Sequence, residues 1–179
     1  MWVEKFYTKP WPHLVIDNFY DEETWNYVCN KNSLFSKHKK SAIKRNYGIS
    51  FSHIEDPVIE SYILEKLPTD FLVSKFHNHR DFTKFKLDLS LKILNLPKQF
   101  PMHDDGDGTQ TFSLISYIEP EHSVGTILFD KDKNLNKIVT WKPNRAVIFA
   151  SIPDVSWHSA GNWEESDRYS VVNFWLGDQ

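Results

Sequence analysis

One short segment, HDDGD at 103–107, concentrates one histidine and three aspartates in five positions. Imidazole and carboxylate groups are metal ligands and also general acids and bases, so this segment is the first candidate for a functional site. The segment leads directly into TFSLISYI at 111–118, whose alternating apolar residues predict a strand. Three interpretations are open: a polar turn, a calcium loop, or half of a transition-metal site.

The calcium interpretation fails on spacing. An EF-hand loop needs oxygen ligands at positions 1, 3 and 5, glycine at position 6 and glutamate at position 12. With Gly108 at position 6, position 1 is His103 and position 12 is Leu114. The segment also leads into a predicted strand, whereas an EF-hand loop leads into a helix. A polar turn therefore remains the alternative to a metal site.

The metal interpretation depends on His103 and Asp105. If a strand carries His103 into the turn, side chains two positions apart project to the same face. His103 and Asp105 then converge, and Asp104 points away. One imidazole and one carboxylate are two of the three ligands in a 2-His-1-carboxylate iron(II) site. Such a pair occurs by chance in many proteins. The metal interpretation therefore depends on finding a second histidine elsewhere in the chain.

His158 is the candidate for that second histidine. It follows the apolar segment RAVIFA at 145–150, and Arg168 comes ten positions later at the start of RYSVVNFW. An arginine in a β-rich interior is costly unless a carboxylate meets it, and that strand contains no acid. The guanidinium fork binds carboxylates through two parallel bonds, so a dicarboxylate ligand is expected. The alternative is an ion pair between Arg168 and a surface acid such as Glu165.

The remaining histidine candidates are weaker. His77 and His79 lie near a predicted helix end, where residues two apart do not share a face. His122 follows Glu121 in a predicted turn. We therefore expect all three histidines at the surface.

In order along the chain, HDD at 103–105, His158 and RYS at 168–170 resemble the iron(II)/2-oxoglutarate-dependent dioxygenases, especially the prolyl-4-hydroxylase-like branch. The similarity covers nearly the whole chain. Its other parts are PWPHLVIDNFYDEETW at 10–25, SYIEP at 116–120, GTILF at 125–129 and WKPNRAVIF at 141–149. The acid of the family's Gly-Gly-Glu-Thr segment is absent here. Asn144 stands where the family often has glycine, and asparagine tolerates a positive φ.

The resemblance implies a set of roles. His103, Asp105 and His158 would bind iron(II) and form the catalytic centre. Arg168, with Ser170 and Tyr117, would bind the distal carboxylate of the cosubstrate 2-oxoglutarate, and ascorbate would support turnover. Tyr117 as a core aromatic residue is the alternative for that position.

The implied activity is hydroxylation of a C–H bond in a peptide side chain or a small molecule, with release of succinate and carbon dioxide. Two other classes of protein are alternatives. A non-catalytic jelly-roll binding module could retain the metal motif without turnover. A cupin-type isomerase would need two closely spaced histidines before an acid, and the HDDGD segment does not supply that grouping.

Hydrophobic periodicity divides the chain into two parts. The first third is predicted to be mainly helical after a short strand at 14–16, with helices at 21–30 and 57–67 and a third from Thr69. SKHKKSAIKR at 36–45 is interpreted as an exposed basic loop, either a solvated charge run or a flap over the site. From Lys84 onward, strands are predicted at 85–93, 111–118, 125–129, 137–141, 145–150 and 169–175.

These elements predict a mainly β fold with N-terminal helices, and the resemblance implies a double-stranded β-helix, a cupin-like jelly roll. One domain is expected over 1–179, with about 1–83 as helical support and 84–179 as the β-roll core.

Composition limits the classes of partner. The 179 residues carry a formal net charge of −3, too small for electrostatic capture of nucleic acid or an anionic membrane. A single cysteine, Cys29, excludes an internal disulfide and an all-cysteine metal site. No apolar run approaches about 18 residues, and no signal peptide is recognised. We therefore expect a cytoplasmic protein whose partner is a small-molecule or peptide substrate.

Overall fold

The structure, a computed structural model, describes residues 2–30, 43–45, 49–53, 56–78, 85–94, 100–105, 110–161 and 168–177. Within these ranges the helices are α1 (Glu22–Cys29), α2 (Pro57–Lys66) and α3 (Thr69–Phe76). The strands are β1 (Val3–Tyr7), β2 (His13–Asp17), β3 (Ile43–Arg45), β4 (Ile49–His53), β5 (Phe85–Leu94), β6 (Phe100–His103), β7 (Gln110–Glu119), β8 (Thr126–Phe129), β9 (Leu135–Val139), β10 (Arg145–Ala150), β11 (His158–Ala160) and β12 (Arg168–Gly177).

The strands form two antiparallel sheets. The large sheet has eight strands in the order β1-β2-β10-β7-β12-β5-β4-β3, and the small sheet has four in the order β6-β11-β8-β9. Side chains from both sheets meet in one apolar cluster that contains Tyr117 and Phe149 from the large sheet and Leu128 and Val139 from the small one. The sheets therefore pack face to face, as a jelly roll requires.

The central strands of the large sheet are buried on both faces. In β10, Ala146 and Ile148 point to the helices, whereas Val147 and Phe149 point to the small sheet. All four are fully buried. This explains why RAVIFA reads as a continuous apolar run, since alternation in a strand shows in the sequence only when one face is wet.

The three predicted helices are confirmed, and their starts are specified by side chains. Asp21 caps α1 by accepting a hydrogen bond from the Thr24 amide at 2.9 Å. Asp56 caps α2 by accepting from the amides of Val58 and Ile59, both at 3.1 Å. Within the described ranges, no helix is long and apolar enough to cross a membrane.

The first third of the chain is less helical than the sequence predicts. Four strands from this region, β1 to β4, join the two ends of the large sheet. The end of the supposed basic loop is also a strand, because β3 pairs with β4. The rest of that loop, 36–42, lies outside the described residues. These strands are short, and whether they form depends more on the strands they pair with than on the hydrophobic periodicity of the segment itself.

The turn before β10 confirms the expectation for Asn144. Its φ is 61°, in the left-handed region that asparagine tolerates. Its side chain accepts a hydrogen bond from the Tyr20 amide at 2.7 Å and donates to the Tyr20 carbonyl at 2.9 Å. This turn therefore fixes the start of α1 to the start of β10.

A buried histidine lies where β1 and β2 meet the small sheet. His13 is fully buried, its ring stacks on Tyr7 with centroids 5.0 Å apart, and Nδ1 lies 2.8 Å from the Trp11 carbonyl oxygen. That carbonyl can only accept, so Nδ1 carries the proton and Nε2 accepts from Lys137 Nζ at 3.2 Å. Burial lowers the pKa of His13 to about 4, and nearby Lys137 acts in the same direction.

This pKa predicts loss of stability in mild acid. The unfolded chain takes up a proton at His13 near pH 6.5, whereas the folded chain does so only near pH 4. Stability therefore falls as pH drops through this interval, by about 2 kcal/mol at pH 5 from His13 alone. Urea unfolding at pH 7.5, 6 and 5 measures this effect. His13→Phe should show a correspondingly smaller fall, whereas exposed His122→Gln should not; an unchanged fall in His13→Phe would contradict the assignment.

Candidate metal centre

Strand pairing in the small sheet brings two histidines together. His103 ends β6 and His158 begins β11, and the antiparallel register places them directly opposite each other. Their ring centroids are 4.2 Å apart. Residues that are distant in sequence are thus held side by side by backbone hydrogen bonds rather than by a flexible loop.

Asp105 completes a three-residue cluster. Its Oδ1 lies 3.4 Å from His103 Nε2, and its Oδ2 lies 3.6 Å from His158 Nε2. One ligand atom from each of the three residues lies within 4.8 Å of the others, close enough to hold one metal ion. The three residues predicted from the sequence are therefore brought together.

A turn, and not the alternation of a strand as predicted from the sequence, brings Asp105 to the histidines. Strand β6 ends at His103, and Asp105 has a φ of 56°. A left-handed residue in a turn, rather than the alternation of a strand, aims its carboxylate at the histidines. Asp104 does point away, as predicted, and its Oδ2 accepts from the Asp154 amide at 2.7 Å.

Hydrogen bonds fix the orientation of both imidazoles. His103 Nδ1 lies 2.9 Å from the Pro101 carbonyl oxygen, and His158 Nδ1 lies 2.9 Å from that of Ser156. Because carbonyl oxygens only accept, both Nδ1 atoms carry protons and both Nε2 lone pairs face Asp105. This is the tautomer that a metal site needs, with the outer nitrogen held by the protein.

Arg168 is the second unusual group in the interior. It is 3% exposed, and one of its N–H groups donates to the Gly161 carbonyl. Its guanidinium carbon lies 4.4 Å from the ring centre of Trp141. Burial lowers its pKa to about 10, so the group stays charged at neutral pH. No carboxylate among the described residues pairs with it, and Glu165, the alternative partner, lies outside them.

Tyr117 and Ser170 lie beside this arginine. Tyr117 is fully buried and 5.7 Å from the Arg168 guanidinium carbon, measured from its ring centre. Ser170 is buried and stands opposite Tyr117 in the register of β12 with β7. Because Tyr169 and Val171 pack on the helix side, alternation turns Arg168 and Ser170 to the inner face. The three predicted cosubstrate residues thus share one region.

Three neighbouring residues were not found from the sequence. Thr126 Oγ1 lies 2.7 Å from the Tyr117 hydroxyl, which also accepts from the Thr126 amide at 2.9 Å. Trp141 stacks on Tyr117 with centroids 4.4 Å apart. Ser113 donates to Asp105 Oδ2 at 2.8 Å. The available signal was a polar residue on the inner face of an apolar strand, which for Ser113 is the face it shares with Tyr117.

Gly125 permits this packing. A β-carbon at that position would lie 1.6 Å from the Val139 carbonyl oxygen and 2.8 Å from the Trp141 amide nitrogen. Only glycine allows the two backbones to approach so closely. The approach positions Thr126 beside Tyr117 and Trp141 beside Arg168.

Among the described residues, the other histidine candidates, His77 and His122, do not belong to the cluster. His77 is exposed at the end of α3, where Nδ1 lies 2.9 Å from the Ser74 carbonyl oxygen. His122 is exposed, as predicted. His79 lies outside the described residues.

Comparison with known proteins gives structural relatives only. No known family profile matches the sequence, and no curated protein matches it. The chain is similar to the structure of the viral collagen prolyl hydroxylase of Paramecium Bursaria Chlorella virus-1 in its 2-oxoglutarate complex. That likeness has a TM-score of 0.67 at 14% identity and covers 93% of this chain and 96% of that one.

Two further similar structures differ in chemistry. A prolyl-4-hydroxylase of Pseudomonas putida has a TM-score of 0.69 at 10% identity, covering 99% of this chain and 93% of that chain. An α-ketoglutarate-dependent carbocyclase from nogalamycin biosynthesis has a TM-score of 0.67 at 9% identity, covering 92% and 79%. The expected double-stranded β-helix is thereby confirmed: the chain has the fold of prolyl-4-hydroxylase and related 2-oxoglutarate-dependent oxygenase structures.

The geometry predicts which side chains control metal affinity. His103→Ala, Asp105→Ala and His158→Ala should each weaken Co²⁺ binding by more than the roughly 100-fold that loss of an outer hydrogen-bond partner can cost. Anaerobic titration calorimetry with Co²⁺ measures this. Asp104→Asn is the matched control, since it keeps the acceptor for the Asp154 amide and should bind Co²⁺ like the parent. Normal binding by Asp105→Ala with loss in Asp104→Asn would reverse the two roles.

Proposed function

We propose that the protein is an iron(II)- and 2-oxoglutarate-dependent dioxygenase that hydroxylates a C–H bond of a peptide side chain or a small molecule. The reaction consumes 2-oxoglutarate and dioxygen and releases succinate and carbon dioxide. One observation carries the proposal: two imidazoles and a carboxylate converge within 4.8 Å in the same sheet sandwich that buries an arginine with no carboxylate partner among the described residues.

The donor set fits iron(II). Two neutral imidazole nitrogens and one carboxylate oxygen make up the 2-His-1-carboxylate set, which leaves further metal positions open. His103, Asp105 and His158 would hold the ion, and it would supply the oxidation of the C–H bond when cosubstrate and dioxygen are present. Both Nδ1–H groups are already engaged with carbonyl oxygens, so neither ring has to turn before binding.

The surroundings of Arg168 fit the distal carboxylate of 2-oxoglutarate. The guanidinium has five N–H donors, and the bond to Gly161 engages one of its nitrogens. Trp141 covers one face of it, which excludes water and strengthens its pull on an anion. The hydroxyls of Tyr117 and Thr126 lie alongside; if Thr126 donates both its N–H and O–H to Tyr117, the tyrosine proton remains for the carboxylate.

The substrate class is the coarser part of the proposal. One structural relative is described as a collagen prolyl hydroxylase and another as a carbocyclase, so this fold supports different reactions. Substrate contacts in such folds come mainly from loops. We therefore propose a peptide side chain or a small molecule as the acceptor and expect neither nucleic acid nor membrane as a partner.

An anaerobic titration tests the proposal. Addition of iron(II) and then 2-oxoglutarate should produce a visible charge-transfer absorption, which should bleach on exposure to oxygen while succinate forms. A pool of peptides and metabolites, incubated with ascorbate, should then contain a species heavier by one oxygen atom. Binding of metal and 2-oxoglutarate without succinate would instead indicate a non-catalytic binding module.

Arg168 should control cosubstrate affinity and leave metal affinity alone. Arg168→Leu removes a charge-assisted paired contact, and hydrogen bonds to charged groups are worth roughly 1.5–3 kcal/mol. The apparent constant for 2-oxoglutarate should therefore rise about ten- to a hundredfold. Arg168→Lys should recover only part of this, because a point charge cannot reproduce the planar fork. Titration of 2-oxoglutarate against each variant, with Co²⁺ affinity measured in parallel, gives both numbers.

Arg145 provides the control for this experiment. Its Nε donates to Asp17 Oδ1 at 2.6 Å, and its Nη2 donates to Asp17 Oδ2 at 3.0 Å. Arg145→Leu should lower stability and leave the 2-oxoglutarate constant unchanged. If Arg168→Leu behaves like Arg145→Leu, Arg168 is a structural residue and the clamp is rejected.

A further inference from the structure

Asp105 needs an explanation for how its carboxylate is held. Its φ of 56° lies in the left-handed region, which aspartate visits more readily than most residues but which an extended strand does not use. It stands after the last residue of β6, so strand hydrogen bonds do not fix it. Its side chain is nevertheless 9% exposed and lies within 3.6 Å of both imidazoles. Some contact beyond the strand must set the rotation of this carboxylate.

Ser113 makes one such contact. Its hydroxyl donates to Asp105 Oδ2 at 2.8 Å, and its Oγ lies 3.1 Å from Ser151 Oγ. Each hydroxyl has one proton. Since the Ser113 proton goes to Asp105, the Ser151 proton must point to Ser113. The chain Ser151 to Ser113 to Asp105 therefore has one direction.

The two serines are themselves held rigidly. Ser113 lies in β7 opposite Phe149 of β10, and Ser151 directly follows β10. The Ser151 amide donates to the Thr111 carbonyl at 3.0 Å, which continues the pairing of these strands. Both serines are 1% exposed or less. The hydroxyl that meets Asp105 is thus anchored in the large sheet, whereas both histidines belong to the small sheet.

We propose that Ser113 is a positioning residue for the metal centre: by holding Asp105 Oδ2 from the opposite sheet, it sets the orientation in which the carboxylate meets the metal. This inference rests on the proposed function only in taking His103, Asp105 and His158 as the ligands. With Oδ2 held, Oδ1 is directed to His103 Nε2 at 3.4 Å. The sandwich must be closed for the third ligand to be aligned, so metal affinity depends on the packing of the two sheets.

The test uses Co²⁺ alone as the probe, under anaerobic conditions and without cosubstrate. Ser113→Ala should weaken Co²⁺ binding about tenfold or more, as loss of an outer hydrogen bond to a ligand does. It should also change the visible d–d absorption of bound Co²⁺, which reports ligand geometry and which a loss of stability alone would not move. Ser113→Thr keeps the hydroxyl and should bind Co²⁺ within about threefold of the parent.

Ser116→Ala is the matched control. Ser116 lies on the same strand and is fully buried, but its hydroxyl bonds to Tyr20 on the helix side at 2.9 Å. This variant should lose stability in thermal unfolding and keep both the Co²⁺ affinity and the absorption spectrum.

The outcomes separate this inference from the proposed function. Failure of the parent protein to bind Co²⁺ would overturn the metal centre itself. Normal Co²⁺ binding by both the parent and Ser113→Ala would overturn only the role of Ser113. The role is also rejected if Ser116→Ala loses as much affinity as Ser113→Ala, or if folded Ser113→Thr binds as weakly as Ser113→Ala.

Discussion

The pairing of β11 with its two neighbours is the constraint on which this molecule depends. His158 stands between His103 of β6 and Leu128 of β8 in the small sheet, so backbone hydrogen bonds on both sides fix its position. A shift of one residue in this register would turn its side chain out of the sandwich. The same strand leads to Gly161, whose carbonyl accepts from Arg168. The two histidines of the candidate metal centre and the buried arginine thus all contact one short strand or its end.

Much of this arrangement could be predicted, because the necessary signals are local. Helix starts are specified by Asp21 and Asp56, and the inner strands by apolar runs such as RAVIFA. Residue types with expensive burial also stand out: a histidine and an arginine in apolar surroundings require partners. Their order and spacing resembled a known pattern, and the structure places the three ligand candidates together and the three cosubstrate candidates side by side.

What could not be predicted depends on contacts between distant segments. The strands β1, β3 and β4 are short segments at the two ends of the large sheet, and they form because a neighbouring strand offers free backbone groups. The left-handed turn at Asp105 does not follow from the sequence, because aspartate is compatible with both a turn and an extended strand end. Ser113, Thr126 and Trp141 lie in different strands or turns, and a polar residue on the inner face of an apolar strand does not reveal which distant residue it will contact. Their importance emerges only when the sheets close and one hydroxyl or ring meets another.

The unequal burial of the three ligand candidates has a kinetic consequence. The His103 side chain is 29% exposed, whereas those of His158 and Asp105 are 5% and 9% exposed. His103 also lies on β6, which is an edge strand of the small sheet as far as the described residues extend. In the proposed metal site, His103 would therefore be the ligand most accessible to solvent and to a chelator. Exchange with a chelator then needs only local displacement of an edge strand, and the rate of metal loss is separated from the rate of global unfolding.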